Sequence, residues 1–391
     1  MKYFKYFSIY LIIATLLIIG VSFIPHSIIE KNIKKSIIYV YEEGESPIIF
    51  DIPFFKIDTF TDMVMLNIAY FSDENHPIDS GIINSLYYDK DKGYFESSYQ
   101  VIHNANIEKE NLVEYSTYWH GIQIFLKPLM IIMQYKWLII ANYIILSFLC
   151  LYCLYLVYIH CSLQISVCLC ISLLLIGFPI VPLCIQFSVC FYIMFIFICL
   201  LLKYNYVHNN PTLSFFTVGA FTSFFDLLTT PQITLGIPLI IYILYYIEDH
   251  RLIIIIKLSL FWIMGYAIFW LSKCFIGWLL TGFNIFEVFY ESALVRSIYG
   301  LNFFHIFFSI PLFIVSLFLL FVVFIYIYKW LNNHSNFCNN YAWLIITFLI
   351  VPVWHIFMMQ HTIIHYWFTW RALLVSVFSL LLLTIRKNQI L

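Results

Sequence analysis

Along this chain the apolar positions fall into long unbroken runs, not into the short alternations of a strand or the one-sided stripes of a soluble helix. The first run, Ile9 to Ile24, follows Lys2 and Lys5. Its exit, Ser22-Phe23-Ile24-Pro25, lacks a small-x-small cleavage pattern, so it reads as an uncleaved first span with a cytoplasmic N-terminus. From about Leu138 the runs recur near 138–159, 163–180, 183–202, 211–230, 233–247, 253–270, 306–328, 341–358 and 366–385. At 1.5 Å per residue, roughly 20 residues cross about 30 Å of hydrocarbon. The pattern therefore predicts an all-α polytopic membrane protein of about ten transmembrane helices, although the runs around Pro179, Pro182, Pro231 and Pro238 also fit re-entrant or broken helices.

Residues 25–137 break this pattern. They contain Trp119, many Tyr and Phe, and apolar positions at helical spacing such as Met63, Leu66 and Tyr70. The stretch Tyr115 to Pro128 mixes aromatic and polar residues ahead of an apolar run, which suits a helix lying in the membrane interface. The expected organisation is a first transmembrane helix at 1–24, an extracytoplasmic loop with interfacial amphipathic helices at 25–137, and a multispanning domain at 138–391. No internal repeat is visible, which removes support from an inverted-repeat transporter.

Composition sharpens the picture: 63% of the 391 residues are hydrophobic and only 10% are charged, against about 25% charged in a soluble domain. The charges are also segregated. Between Glu30 and Glu114 lie 16 of the 21 acids and 7 of the 20 bases, a net of −9, so the rest of the chain is weakly basic. Alternation from a cytoplasmic N-terminus places Lys203, Arg251, Lys257, Lys329, Arg386 and Lys387 inside, both termini among them, and leaves 271–305 and 359–365 outside. There is no basic patch to suggest nucleic acid. No cysteine lies in the acidic segment, and Cys150 and Cys153 read as apolar filler.

Ionisable groups beside hydrocarbon carry the functional signal, since each costs about 2.5–3.5 kcal/mol at a helix centre unless partnered. Asp226 sits in Phe221-Thr-Ser-Phe-Phe-Asp226-Leu-Leu-Thr-Thr-Pro231, near the end of a run directed toward the acidic segment; bonds to Thr222, Thr229 or Thr230 are its bland explanation. Arg371 ends His361-Thr-Ile-Ile-His365-Tyr-Trp-Phe-Thr-Trp370-Arg371, where a guanidinium can hold two phosphate oxygens, or simply snorkel. His361 and His365, four apart, share a helix face. They suit anion donors or interfacial packing better than zinc, since the Glu of HExxH and a third ligand are missing; no cofactor is implied, though a divalent metal is not excluded. In Asp58-Thr-Phe-Thr-Asp62 two carboxylates stand four apart, and Thr59-x-x-Asp62 is also a capping pattern. His120 beside Trp119, and Glu287, Glu291 and Arg296 in the second long loop, are further candidates. The tracts Asp89 to Lys92 and Glu108 to Glu110 read as solvated. Phosphate-loop, GxGxxG, GxSxG and HExxH signatures are absent, which disfavours ATP-driven transport and soluble-type dehydrogenase or hydrolase chemistry.

A cytoplasmic-start anchor, a long acidic outer loop after it, further spans, and isolated charges at the outer span ends together resemble the C-type fold class of integral-membrane glycosyltransferases. The phrases FTSFFDLLTTPQITLGIPL from Phe221 and HTIIHYWFTWR from His361 also look like those of uncharacterised bacterial multispanning proteins. The resemblance implies a polyprenyl-phosphate-linked sugar as donor and a cell-envelope glycan or lipid as acceptor. Within it, Asp62 or else Asp58 is the base, Arg371, His361 and His365 bind the lipid phosphate with Arg296 as a further donor, and Asp226 positions the acceptor or the arginine. One departure is visible: the fold class has its acidic pair soon after the first span, whereas Asp58 comes more than 30 residues after Ile24. The rival reading is a transporter or flippase for a lipid-linked or amphipathic substrate. A third is a non-catalytic scaffold.

Overall fold

The computed structural model describes residues 2–52, 55–102, 112–247, 250–282 and 334–385, and these are helical almost throughout. Helix α1 (Lys2–Ser22) turns at Pro25 into α2 (His26–Glu43). The polar segment continues with α3 (Thr59–Tyr70), α4 (Pro77–Ile82), α5 (Gly93–Gln100) and α6 (Gln123–Ile132). A short antiparallel pair, β1 (Leu86–Tyr87) and β2 (Leu112–Val113), is its only sheet among the described residues. Helix α3 is buried nearly all round, and its one mid-helix amide explains why: Asn67 donates to Tyr87 O (3.0 Å) and Ser98 Oγ (2.8 Å) and accepts from Tyr87 N (3.1 Å), so every polar atom is paired.

The apolar body holds α7 (Tyr135–His160), α8 (Leu163–Leu175), α9 (Ile185–Lys203), the short α10 (Asn205–Asn209), α11 (Pro211–Phe225), α12 (Gln232–Tyr246) and α13 (Arg251–Thr281). After the undescribed stretch come α14 (His334–Phe357), α15 (Met359–Ile364), α16 (Tyr366–Thr369) and α17 (Leu374–Leu382). Four of these, α1, α7, α9 and α13, are long and apolar enough to cross a membrane; α8, α11 and α12 are shorter apolar helices. The large side chains left exposed on the long ones are themselves apolar: Ile12, Ile13 and Leu16 on α1, Ile145, Phe148 and Leu151 on α7, Ile253, Ile256 and Leu260 on α13. Water would not tolerate that surface, and hydrocarbon would. This is an all-α membrane protein.

Boundaries differ from the expected ones in instructive places. Helix α7 starts at Tyr135, ahead of 138, because Ser36 Oγ of α2 accepts from the Tyr135 N–H at 2.8 Å. Helix α13 does not stop near 270 but continues to Thr281; one face of the extension, Lys273, Cys274 and Gly277, is buried, with Lys273 Nζ donating to Ile82 O, while just before it Trp119 Nε1 donates to Phe269 O (3.0 Å). The run expected at 211–230 ends at Phe225, and the irregular 226–231 link is buried although Leu228 holds φ +63. The run expected at 306–328 lies outside the described residues.

Helices α11 and α13 approach so closely that only glycine fits at two points. A Cβ on Gly219 would stand 2.1 Å from Trp262 O, and one on Gly265 would stand 2.1 Å from Phe216 O. Gly219→Ala should therefore cost about 1–3 kcal/mol through forced separation, read as a lower Tm in detergent. Gly20→Ala is the control, since nothing lies within 4 Å of its added carbon; it should leave Tm unchanged or slightly raised.

Candidate functional site

The site grows from the first turn of α9. That turn has no cap from its own sequence: Cys184, the N-cap residue, makes no capping bond. Asp62 of α3 supplies it, Oδ2 accepting from Ile185 N (2.8 Å) and Oδ1 from Gln186 N (3.1 Å), while the Tyr135 hydroxyl donates to Oδ2 as well. A carboxylate at a helix N-terminus is electrostatically favoured. Burial nonetheless pushes the Asp62 carboxyl up, against these bonds. Both oxygens are committed, so the geometry makes Asp62 the clamp between polar segment and bundle and speaks against it as a base. Asp58, not Thr59, caps α3: its carboxylate accepts from Thr61 N (3.1 Å) and from the Thr61 hydroxyl, and its backbone oxygen accepts from the Cys184 thiol at 3.2 Å.

One residue past the clamp, Phe187 lies under Arg371, whose guanidinium carbon is 4.7 Å from that ring and 5.3 Å from Trp370. Arg371, only 1% exposed, sits in the 3-10 turn ahead of α17. Its Nη1 donates to Trp367 O (3.2 Å) and its Nη2 to Lys56 O (3.1 Å), while Nε has no partner in the protein. Its charge acts on Asp58. This is a buried arginine, not a snorkelling one.

One turn along α9 from Gln186, Cys190 meets the link after α11, the Thr229 hydroxyl pointing at its sulfur at 3.7 Å. Asp226 Oδ1 accepts from Thr229 N (2.9 Å) and from the Thr229 hydroxyl; the Cys190 thiol and Leu228 N–H lie near the carboxylate, but Oδ2 has no partner at hydrogen-bonding geometry. The same link is held from the other side by His361, whose Nε2 pairs with Leu228 O at 2.9 Å. His361 and His365 have their rings 4.6 Å apart, both against Phe368, which in turn touches Phe187. Asp62 and Arg371 thus meet the first turn of α9 directly, the Asp226 link reaches Cys190 through Thr229, and His361 and His365 reach Phe187 through Phe368.

Two further expectations fall elsewhere. His120, in a left-handed conformation (φ +51), pairs with Tyr115 O at 3.0 Å. Burial, and then the Lys273 charge, hold its imidazole down at about 3, so it is neutral. It belongs to the joint between α13 and the polar segment. Arg296, with Glu287 and Glu291, lies outside the described residues. The described cysteines are free thiols, and no group of three or more His, Cys, Asp or Glu with metal-holding geometry occurs among the described residues.

What the sequence hid is a set of neutral groups. Buried side-chain atoms without partners crowd this end of the bundle: both amide atoms of Gln186, Gln232 Oε1, Thr230 Oγ1, Thr369 Oγ1, His365 Nδ1 and Trp367 Nε1, besides Asp226 Oδ2 and Arg371 Nε. Leaving such an atom unpaired costs about 1–3 kcal/mol, so a cluster of them marks a place shaped for polar company that the chain itself does not supply.

On the face of α9 away from this cluster, α6, α7, α9 and α11 enclose a groove of about 850 Å³, within the usual range for small-molecule sites of roughly 300–1,000 Å³. Its lining is nearly all apolar, from Ile122, Phe125 and Ile185 at one end to Ile196 and Leu200 at the other. Phe125, Ile145 and Phe221 are exposed, so the groove opens sideways.

The Asp58 carboxyl offers a pH test. Burial holds it up at about 6, chiefly against the Thr61 bonds and, more weakly, the Arg371 charge. The fold thus favours the protonated form: its contribution is full below the unfolded value of 3.8 and is lost as pH rises through about 6. The whole interval is worth about 3 kcal/mol. Asparagine caps as well as aspartate, so Asp58→Asn should raise Tm at pH 7.5 and give no gain at pH 4, measured by thermal unfolding at both.

No family model, curated protein or solved structure matches this chain.

Proposed function

We propose that the protein transfers a sugar from a polyprenyl-phosphate donor to a cell-envelope glycan or lipid acceptor on the outer face of the cytoplasmic membrane. The observation that carries this reading is the group of unpaired buried polar atoms that accompanies Arg371 at one end of the bundle. An arginine with a free Nε, neighbouring imidazoles and an indole N–H are donors for a phosphate. An apolar groove open to the bilayer, on the opposite face of α9 from these donors, has the size and lining for a prenyl chain.

In this reaction the acceptor hydroxyl oxygen attacks the anomeric carbon while the bond from that carbon to the phosphate oxygen breaks, the phosphate keeping the electron pair. The acceptor proton goes to Asp226, whose Oδ2 is free while Thr229 fixes Oδ1. Phosphate needs little protonation to leave, so Arg371 acts by stabilising charge and holding the donor in place. Asp226 thus takes the base role that the resemblance gives to Asp62 or Asp58.

The topology that goes with it has ten spans: the four long helices, the apolar helices α8, α11, α12, α14 and α16–α17, and the 306–328 run, with α6 lying in the interface. Both termini are then cytoplasmic and the acidic segment lies outside. The experiment is substitution in a strain whose envelope glycan changes on deletion. Asp226→Asn should reproduce the deletion with protein abundance intact. Wild-type glycan in that variant would remove Asp226 from the chemistry, and loss of abundance alone would favour a scaffold.

A further inference from the structure

Arg371 and Asp226 account for a phosphate and a proton, but the atoms that most need company belong to two uncharged amides. Gln186 is fully buried, and neither its Nε2 nor its Oε1 has a partner; Gln232 is 3% exposed, and its Oε1 is unpaired. Their positions are tied to the same place. Gln186 adjoins Phe187, on which the Arg371 guanidinium rests, and stands one turn from Cys190, which touches Thr229 beside Asp226. Gly236 packs against Val375, where an added Cβ would stand 2.4 Å from Cγ1. One turn earlier along each partner of that contact come Gln232, at the start of α12, and Arg371, in the turn before α17, so the second amide also lies at the arginine's end of the bundle. Thr230 and Thr369 add unpaired hydroxyls at the same level.

An amide offers donors and an acceptor together, which is the complement of a sugar hydroxyl that both gives and takes a hydrogen bond. It carries no charge to answer a carboxylate or an ammonium on the ring. A carboxylate-bearing sugar would also bring a second anion toward Asp226. We infer that Gln186 and Gln232 form the subsite for the hydroxyls of an uncharged sugar, next to the phosphate held by Arg371; this rests on the lipid-phosphate reading above. Sugars with an acidic ring substituent are rejected because the buried amides cannot neutralise one.

The test uses the full-length protein in detergent and three probes: farnesyl phosphate, farnesyl-phosphate-glucose and farnesyl-phosphate-glucuronic acid. In the wild type, glucose should tighten Kd by about tenfold over farnesyl phosphate, the scale of one or two added hydrogen bonds. The glucuronic acid probe should bind no better than farnesyl phosphate. Gln186→Met and Gln232→Met, which keep side-chain volume, should erase the glucose increment, leave farnesyl phosphate affinity unchanged and hold Tm equal or higher. If the increment survives in both variants, if the glucuronic acid probe gains as much as glucose, or if Tm falls, the amide subsite is wrong while the phosphate site stands. If farnesyl phosphate itself does not bind the wild type, the lipid-phosphate reading fails, and the subsite with it.

Discussion

On the proposed function, Arg371→Lys should lower the rate of sugar transfer by at least about 100-fold, the scale on which a single charge-stabilising donor is lost. The expectation comes from geometry more than from charge. Nη1 and Nη2 reach two carbonyls in different parts of the chain, Trp367 O and Lys56 O, while Nε stays free and the guanidinium plane rests near Phe187 and Trp370. A lysine ammonium keeps the charge, but it has no planar fork to span both carbonyls and present a further donor at once. Lys56 O would then lose its partner, so some loss of Tm should accompany the loss of activity. Arg371→Ala should lose more of both, since it strips the aromatic faces of their stacking partner as well. Retained transfer in Arg371→Lys, measured as sugar incorporated into acceptor, would remove the guanidinium from the donor site.

Asp62→Ala has the second large effect, and it is of a different kind: loss of the folded protein. Three donors, Ile185 N, Gln186 N and the Tyr135 hydroxyl, lose their only acceptor in a site where Asp62 is 2% exposed. A buried donor left without its acceptor costs about 1–3 kcal/mol, so losing the acceptor of all three costs several. Asp62→Asn should fall between the two, because the amide keeps one acceptor and the Tyr135 oxygen can receive its N–H. The readouts are Tm in detergent and protease sensitivity of the polar segment, which α9 would no longer hold. A normal Tm with lost activity would return Asp62 to the chemistry. Asp226→Asn is its mirror image, with activity lost and Tm kept, since one of the Asp226 oxygens is already idle.

The contrast between these carboxylates shows what was legible in the sequence. Apolar runs announced the membrane body, since every long helix coincides with one. The helical spacing of Met63, Leu66 and Tyr70 marked α3. The carboxylates are visible too, but the capping pattern Thr59-x-x-Asp62 does not form, because a local pattern shows only the residue's own helix. Asp58 caps α3, and Asp62 caps a helix that begins at Ile185. Gln186 and Gln232 escaped for another reason: an uncharged amide inside an apolar run looks like a tolerated interruption, and only its unpaired atoms reveal the demand it places on the interior. A faint signal was present, as both amides follow helix-breaking prolines, Pro182 and Pro231, at the start of a span. Helix ends at membrane depth are where polar groups can face a cavity. The extension of α13 to Thr281 was hidden because Lys273 reads as the end of an apolar run, while its carbonyl partner, Ile82, lies in another segment.

The most direct measurement is the fate of the sugar–phosphate bond. Full-length protein reconstituted in liposomes would be given a polyprenyl-phosphate donor with a labelled sugar and an envelope lipid acceptor. Free polyprenyl phosphate and labelled acceptor should appear together, and Asp226→Asn should slow both by about 100-fold or more, as expected for a lost general base, with Tm unchanged. Passage of the intact lipid-linked sugar across the bilayer without bond cleavage, or unaltered turnover in Asp226→Asn, would contradict the account.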